Sequence, residues 1–218
     1  MIVLRALSAL LTYPRRELLD ALDELRTAIA GSRLIGNAQK SRLAELVAEL
    51  GAAEPLELEE RYVGWFERGR AGSLHLFEHV HGDSRERGQA MVDLIGVYER
   101  AGFRLAANEL PDYLPAVLEY LSCRSLDEAR DMLGDCAHIL RALGERLVAA
   151  RSRYAAVLDA LLAIAEEPGL DWSKVSAPPE SDPDEDWMDA PAFGPGSERN
   201  SGARPASAPI HFVPRKAR

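Results

Sequence analysis

The sequence predicts an all-α protein: a single helical bundle of about seven or eight helices over residues 1–170, then a disordered C-terminal tail over 171–218. Three observations predict it. Apolar residues recur at helical spacing nearly everywhere before the tail. No alternating apolar and polar run, the mark of a half-buried strand, lasts more than a few residues. Finally, eight of the 13 prolines (Pro178, Pro179, Pro183, Pro191, Pro195, Pro205, Pro209 and Pro214) fall in the last 48 residues. That segment has few branched apolar residues, so it cannot bury enough surface to offset the entropy of its ordering.

The elements follow in chain order. Met1 to Tyr13 is apolar and reads as a first core helix. Pro14 suits a first helical turn, and Leu18, Leu22, Leu25 and Ile29 form a stripe that Gly31 can close. Asn37 can cap a helix striped by Leu43, Leu46, Val47 and Leu50. Another helix starts near Pro55 and carries Tyr62, Val63 and Phe66. Asp83 and Glu86 form a capping box for a helix striped by Met91, Leu94, Ile95 and Tyr98 and ended by Gly102. Leu114, Val117, Leu118 and Leu121 mark a short helix behind Pro111 and Pro115. Ser125 and Glu128 form a second capping box, opening a long helical stretch to about Ala165 with a break near Gly144 or Ala150. The tail holds an acidic patch (Glu180, Asp182, Asp184, Glu185, Asp186) around Trp187 and a basic end (Arg215, Lys216, Arg218).

The 218 residues are 47% hydrophobic and 28% charged, a balance that excludes collagen-like, coiled-coil and wholly disordered chains. With 35 acidic against 26 basic residues, a net charge of -9, the chain repels phosphate backbones, so no nucleic-acid partner is expected and a basic partner suits it better. Residues 1–170 alone carry 27 acidic and 20 basic side chains, a net of -7. Cys123 and Cys136 form neither a CxxC pair nor a disulfide framework, which points to a reducing cytoplasm. Arg5 interrupts the first apolar run and Asp159 the run Ala155 to Ala165. Neither a signal peptide nor direct membrane insertion is therefore expected. The pair Arg15-Arg16 is followed by Glu17 and Asp20, not by the apolar run of an export signal.

Two stretches invite chemistry. His75, Glu78 and His79 spell HxxEH, which on a helix would place two imidazoles and a carboxylate on one side and Leu76, Phe77 and Val80 on the other. A small zinc hydrolase is the alternative reading, but no spacing marks out a third protein ligand. Arg85 and Arg87 lie near a helix N-terminus that could attract an anion, or they pair with Glu side chains on its surface. No glycine-rich phosphate loop is present, and no Ser or Cys nucleophile stands beside a recognisable base. The chain is not expected to be an enzyme.

In the same region, Ser73-Leu74, Leu76 to Gly82, Ser84-Arg85 and Arg87 to Leu94 resemble the signature of the respiratory nitrate reductase assembly chaperones, the NarJ family. Glu109-Leu110-Pro111-Asp112-Tyr113-Leu114-Pro115 and Leu118-Glu119-Tyr120-Leu121 fall where that family has its second motif, and Arg153-Tyr154 matches a shorter one. The likeness spans about residues 1 to 165. It implies a cytoplasmic, all-helical chaperone of the TorD-like superfamily. Its partner would be the catalytic subunit of a respiratory nitrate reductase, held by its N-terminal segment and kept open for insertion of the molybdenum cofactor. No cofactor would be bound stoichiometrically by the chaperone itself, and molybdenum cofactor delivery proteins are admitted as further partners. The superfamily usually reads Asp-His-Leu in the second motif, whereas Tyr113 stands at the histidine here, so no imidazole role carries over to it. The partner segment is expected to lie as a helix in a groove bordered by His79 to Arg87, His81 among them, and by Glu109 to Tyr113, including Pro111. Phe77 and Tyr113 would pack against it while Glu78, Arg85, Arg87, Glu109 and Asp112 set its register through charge-assisted hydrogen bonds. Phe77 also reads as core, and Asp112 as the cap of the helix beginning at Tyr113.

Overall fold

A computed structural model of the chain describes residues 1–81, 85–105 and 109–173. Its described elements are helical: α1 (Ile2–Leu10), α2 (Arg16–Asp20), α3 (Leu22–Ala30), α4 (Asn37–Ala52), α5 (Pro55–Tyr62), α6 (Leu76–His81), α7 (Arg85–Arg100), α8 (Leu114–Ser122), α9 (Leu126–Asp135), α10 (Ala137–Ala149) and α11 (Ala155–Ile164). A π-helical turn, Val63–Glu67, and a 3-10 turn, Arg70–Gly72, follow α5. Of the tail expected from 171, residues 174–218 lie outside the described residues, as does the expected cap Asp83; residues 171–173 are described, and Trp172 packs against the core instead of belonging to a tail. Among the described residues no helix is long and apolar enough to cross a membrane.

Two helices are apolar on nearly every face and therefore lie inside. In α11 only Ala163 escapes full burial, and α4, α9 and α10 pack around it. In α1, Val3, Leu4, Ala6, Leu7, Ser8 and Leu10 are buried, and the helix lies along α8 with α3 on another side. The Ser8 hydroxyl donates to the Pro115 carbonyl at 2.7 Å, and the Met1 amine donates to the Ser122 carbonyl, so α1 is pinned to both ends of α8.

The helices outnumber the seven or eight expected because long periodic stretches are broken. The stripe Leu18 to Ile29 is split by a tight turn at Ala21, whose N–H bonds the Leu18 carbonyl. Between α9 and α10 the buried Cys136 thiol reaches the Met132 and Leu133 carbonyls at 3.3 and 3.4 Å, competing with the backbone for them. Burial pushes that thiol up to about 12. Helix α10 ends in a Schellman motif: Arg151 takes the left-handed conformation at φ 56°, and Ser152 N–H reaches the Leu147 carbonyl at 2.8 Å. The same motif ends α11 at Glu166, φ 61°, just before Pro168. It also ends α7 at Gly102, φ 82°, where glycine takes this backbone without strain. Asn37, expected as a cap, is instead the first residue of α4 behind Gly36.

Past α11 the chain forms a strap over the bundle as far as Trp172. Leu170 packs into the notch left by Gly144, where an added Cβ would lie 2.6 Å from its methyl. Gly144 therefore does not break α10; it admits the strap. The buried Asp159 carboxylate accepts from Leu170 N–H at 2.9 Å and pairs with Arg42 at 3.3 Å, and the Arg42 guanidinium in turn lies 4.2 Å from the Trp172 ring centre. Arg141 donates to the Gly169 carbonyl at 3.2 Å. Replacing Asp159 by Ala leaves Arg42 without its carboxylate and Leu170 N–H without an acceptor. Because Arg42 keeps a third of its side chain in solvent, the expected loss is about 2 kcal/mol, below that of a fully buried pair. Urea unfolding measures it, and limited proteolysis should then trim the strap back to Ala165.

Candidate functional site

The site grows from one short pairing of extended backbone. Behind the two helical turns, residues 73–75 run antiparallel to residues 112–114. Leu76 N–H donates to the Asp112 carbonyl at 3.0 Å and Leu114 N–H to the Leu74 carbonyl at 2.8 Å, placing His75 opposite Tyr113. The chain enters α6 from one strand of this bridge and α8 from the other, so the two motif stretches meet at their helix starts.

Asp112 sits at the centre with 0% of its surface exposed. One carboxylate oxygen accepts from Phe77 N–H at 3.0 Å, the other from His75 Nδ1 at 3.3 Å. Asp112 therefore caps α6, across the bridge, and not α8, whose N-cap residue Tyr113 makes no side-chain capping bond. A carboxylate at a helix N-terminus satisfies an otherwise orphaned donor and meets the positive end of the helix dipole.

The HxxEH residues are drawn apart. His75 precedes α6 instead of lying on it, and its ring stacks against Tyr113 with centres 5.3 Å apart. His79 Nε2 donates to the Ser73 carbonyl at 2.8 Å. Glu78 pairs with Arg87 of α7 at 3.1 Å. Each group of the proposed zinc motif has a different partner, and among the described residues no three His, Cys, Asp or Glu side chains are gathered to hold a metal. The helical geometry on which the hydrolase reading rested is absent.

The remaining candidates are placed as follows. Phe77 is fully buried core, with its ring 5.8 Å from that of His81. His81 Nδ1 lies 3.8 Å from Glu86, and its Nε2 is buried without a hydrogen-bond partner among the described residues. Pro111 is buried and its carbonyl accepts from Tyr98 at 2.8 Å, while Glu109 is exposed. Arg85 opens α7, and its side chain lies outside the described set.

Beside the bridge is a pocket of about 480 Å³. Glu78 and Tyr113 line it, together with Tyr62, Phe66, Glu67, Arg70 and His75 and the backbone turn at Gly69. Tyr62 donates to the Leu11 carbonyl at 2.8 Å and its oxygen lies 3.3 Å from that of Tyr113, while burial raises the pKa of both phenols, which stay protonated donors at neutral pH. Phe66 lines the pocket too, and the Tyr154 ring packs edge-on against it at 5.1 Å. The outer wall is the turn pair after α5, fixed by Arg146, whose guanidinium donates to the Trp65 carbonyl at 2.9 Å. Sequence patterning took Tyr62 and Phe66 for a helical stripe and passed over Glu67 and Arg70. Their place in the wall depends on the π turn, which periodicity does not reveal.

Fold and site together describe an all-helical bundle, over the described residues, with a surface pocket whose walls are tied to one another by the motif residues. Residues 17–160 match the family model described as nitrate reductase delta subunit, and the chain belongs to this family. It is 44% identical over 176 residues to the nitrate reductase molybdenum cofactor assembly chaperone NarJ of Escherichia coli strain K12, covering 81% of this chain and 74% of that one. The probable assembly chaperone NarW of the same strain is 39% identical over 163 residues, 75% of this chain and 68% of its own. The probable NarJ of Bacillus subtilis strain 168 is 34% identical over 170 residues, 78% of this chain and 91% of its own.

Proposed function

We propose that the chain is a cytoplasmic assembly chaperone for a respiratory nitrate reductase, which holds the catalytic subunit by its N-terminal segment and keeps it competent for molybdenum cofactor insertion. It catalyses no reaction itself. The observation that supports this reading is the bridge: the two family motif stretches spend their polar groups on holding each other beside one pocket, which keeps its walls in a fixed shape for a partner. The partner segment lies along α6, the start of α7 and the lead-in to α8. Glu78, His79, Arg87, Glu109 and Tyr113 then meet it directly, with Glu67 and Arg70 added to the contact from the pocket wall. Phe77, Pro111 and Asp112 act from beneath by holding those groups in place.

A release-competent complex calls for a dissociation constant on the order of micromolar, near -8 kcal/mol, because part of the burial gain is spent on ordering the peptide. Calorimetry with a synthetic N-terminal peptide of the cognate catalytic subunit tests this. Glu78→Gln and Tyr113→Ala, checked for retained melting, should each weaken binding about tenfold. With a basic peptide, the association rate should also fall as salt rises, since the domain is acidic. Absence of binding rejects the partner, and binding untouched by both folded variants rejects the site.

A further inference from the structure

Apart from the pocket beside the bridge, α1 and α3 form a second, different concavity. It has a volume of about 770 Å³. Met1, Ile2, Ala28 and Leu34 give it an apolar lining, with Asp23 and Glu24 on its wall. Ile2 is 76% exposed, more than any other large hydrophobic residue among those described, although it opens a helix most of whose residues are buried. Arg33 also lines the groove, and Asp23 is paired with Arg26 at 3.1 Å. Glu24 has no ion-pair partner among the described residues. An apolar floor with an acidic wall asks for a short apolar segment followed by cations.

The chain itself carries such a segment. Beyond Ser173 the densest apolar run is Ile210-His211-Phe212-Val213, set between Pro209 and Pro214 and followed at once by Arg215, Lys216 and Arg218. Ser173 and Ile210 are separated by 36 residues. A linker of that length has a root-mean-square span of roughly 33 Å, and a fully extended one far more, against a domain roughly 40 Å across. Tethering supplies an effective concentration on the order of millimolar, so a weak contact suffices. We infer that residues 210–218 dock in cis on the α1–α3 groove, with Ile210, Phe212 and Val213 on its floor and the basic end against Asp23 and Glu24.

Hydrogen exchange on the full chain, without any partner, tests this independently of the nitrate reductase reading. Amides of 210–213 should exchange roughly tenfold more slowly than an unstructured segment. The double variant Ile210→Asp/Phe212→Asp, which alters no described residue, should abolish that protection and speed exchange at the N-terminal ends of α1 and α3. Ala28→Arg, with unchanged melting, should release the segment from the other side. Free-peptide exchange rates at 210–213 in the unaltered chain would overturn the inference, as would α1 and α3 exchange indifferent to the tail variant. Protection that grows with protein concentration would assign the groove to a second copy's tail and overturn docking in cis.

Discussion

Asp112→Ala is expected to lower the unfolding free energy by about 3 kcal/mol. The substitution strands the buried Phe77 N–H, takes from His75 its acceptor, and leaves a void at a position with no solvent access. Thermal and urea unfolding read the loss. Asp112→Asn separates the causes: its amide oxygen can still accept from Phe77 N–H while the negative charge at the start of α6 is gone, so about half the loss should return. Equal losses for Ala and Asn would mean that charge, not hydrogen bonding, holds the bridge. If the proposed peptide binds in the pocket, its affinity should fall in step with stability for both variants, because Asp112 does not itself line the pocket.

Gly72→Ala should cost a similar amount, about 3 kcal/mol, through a different cause. A Cβ there would lie 2.1 Å from the Trp65 carbonyl oxygen and 2.7 Å from the Arg146 guanidinium. The first of these atoms is backbone, so the π turn must move as a unit, and overpacking of this kind is felt throughout its surroundings. The expected signature is loss of the Arg146 to Trp65 bond, with a lower melting temperature and a changed Trp65 fluorescence. Arg146→Ala, which removes the clamp but adds no atom, should show the fluorescence change with a smaller loss of stability. A Gly72→Ala protein that melts with the unaltered one would show that the outer wall is pliable.

Local signals were legible in the sequence where chemistry and geometry coincide on one residue. Gly102 announced the end of α7 because glycine is the residue that a left-handed helix end favours. Arg151 and Glu166 end α10 and α11 with the same hydrogen bonds, yet nothing in an arginine or a glutamate marks a left-handed backbone. Ser125 caps α9 as its position suggests, its hydroxyl accepting from Glu128 N–H at 3.2 Å. The Glu128 carboxylate does not return the bond; Arg124 and Tyr120 take it at 2.9 and 2.7 Å. For the candidate site, the residue types around 73–87 and 109–113 marked the region, but the partners did not follow from spacing. A wheel drawn on His75 assumes that the helix has already begun, and the bridge that delays it is formed with Tyr113. Asp112 likewise looked toward its own helix, because a cap supplied across a bridge leaves no periodic trace.

The position of α1 also sets a clock on folding. Its hydroxyl anchor, Ser8, and the carbonyl that receives it, on Pro115, are 107 residues apart. At roughly 5–20 residues per second, a ribosome needs roughly 5–20 s to make that interval. Throughout this time the apolar face of α1 has no α8 to lie against, whereas α10 and α11, which pack together in the fold, adjoin in sequence. The long face of α1 thus stays without its main partner for the whole of that interval, and a factor that acts on the nascent chain has the same interval in which to meet it.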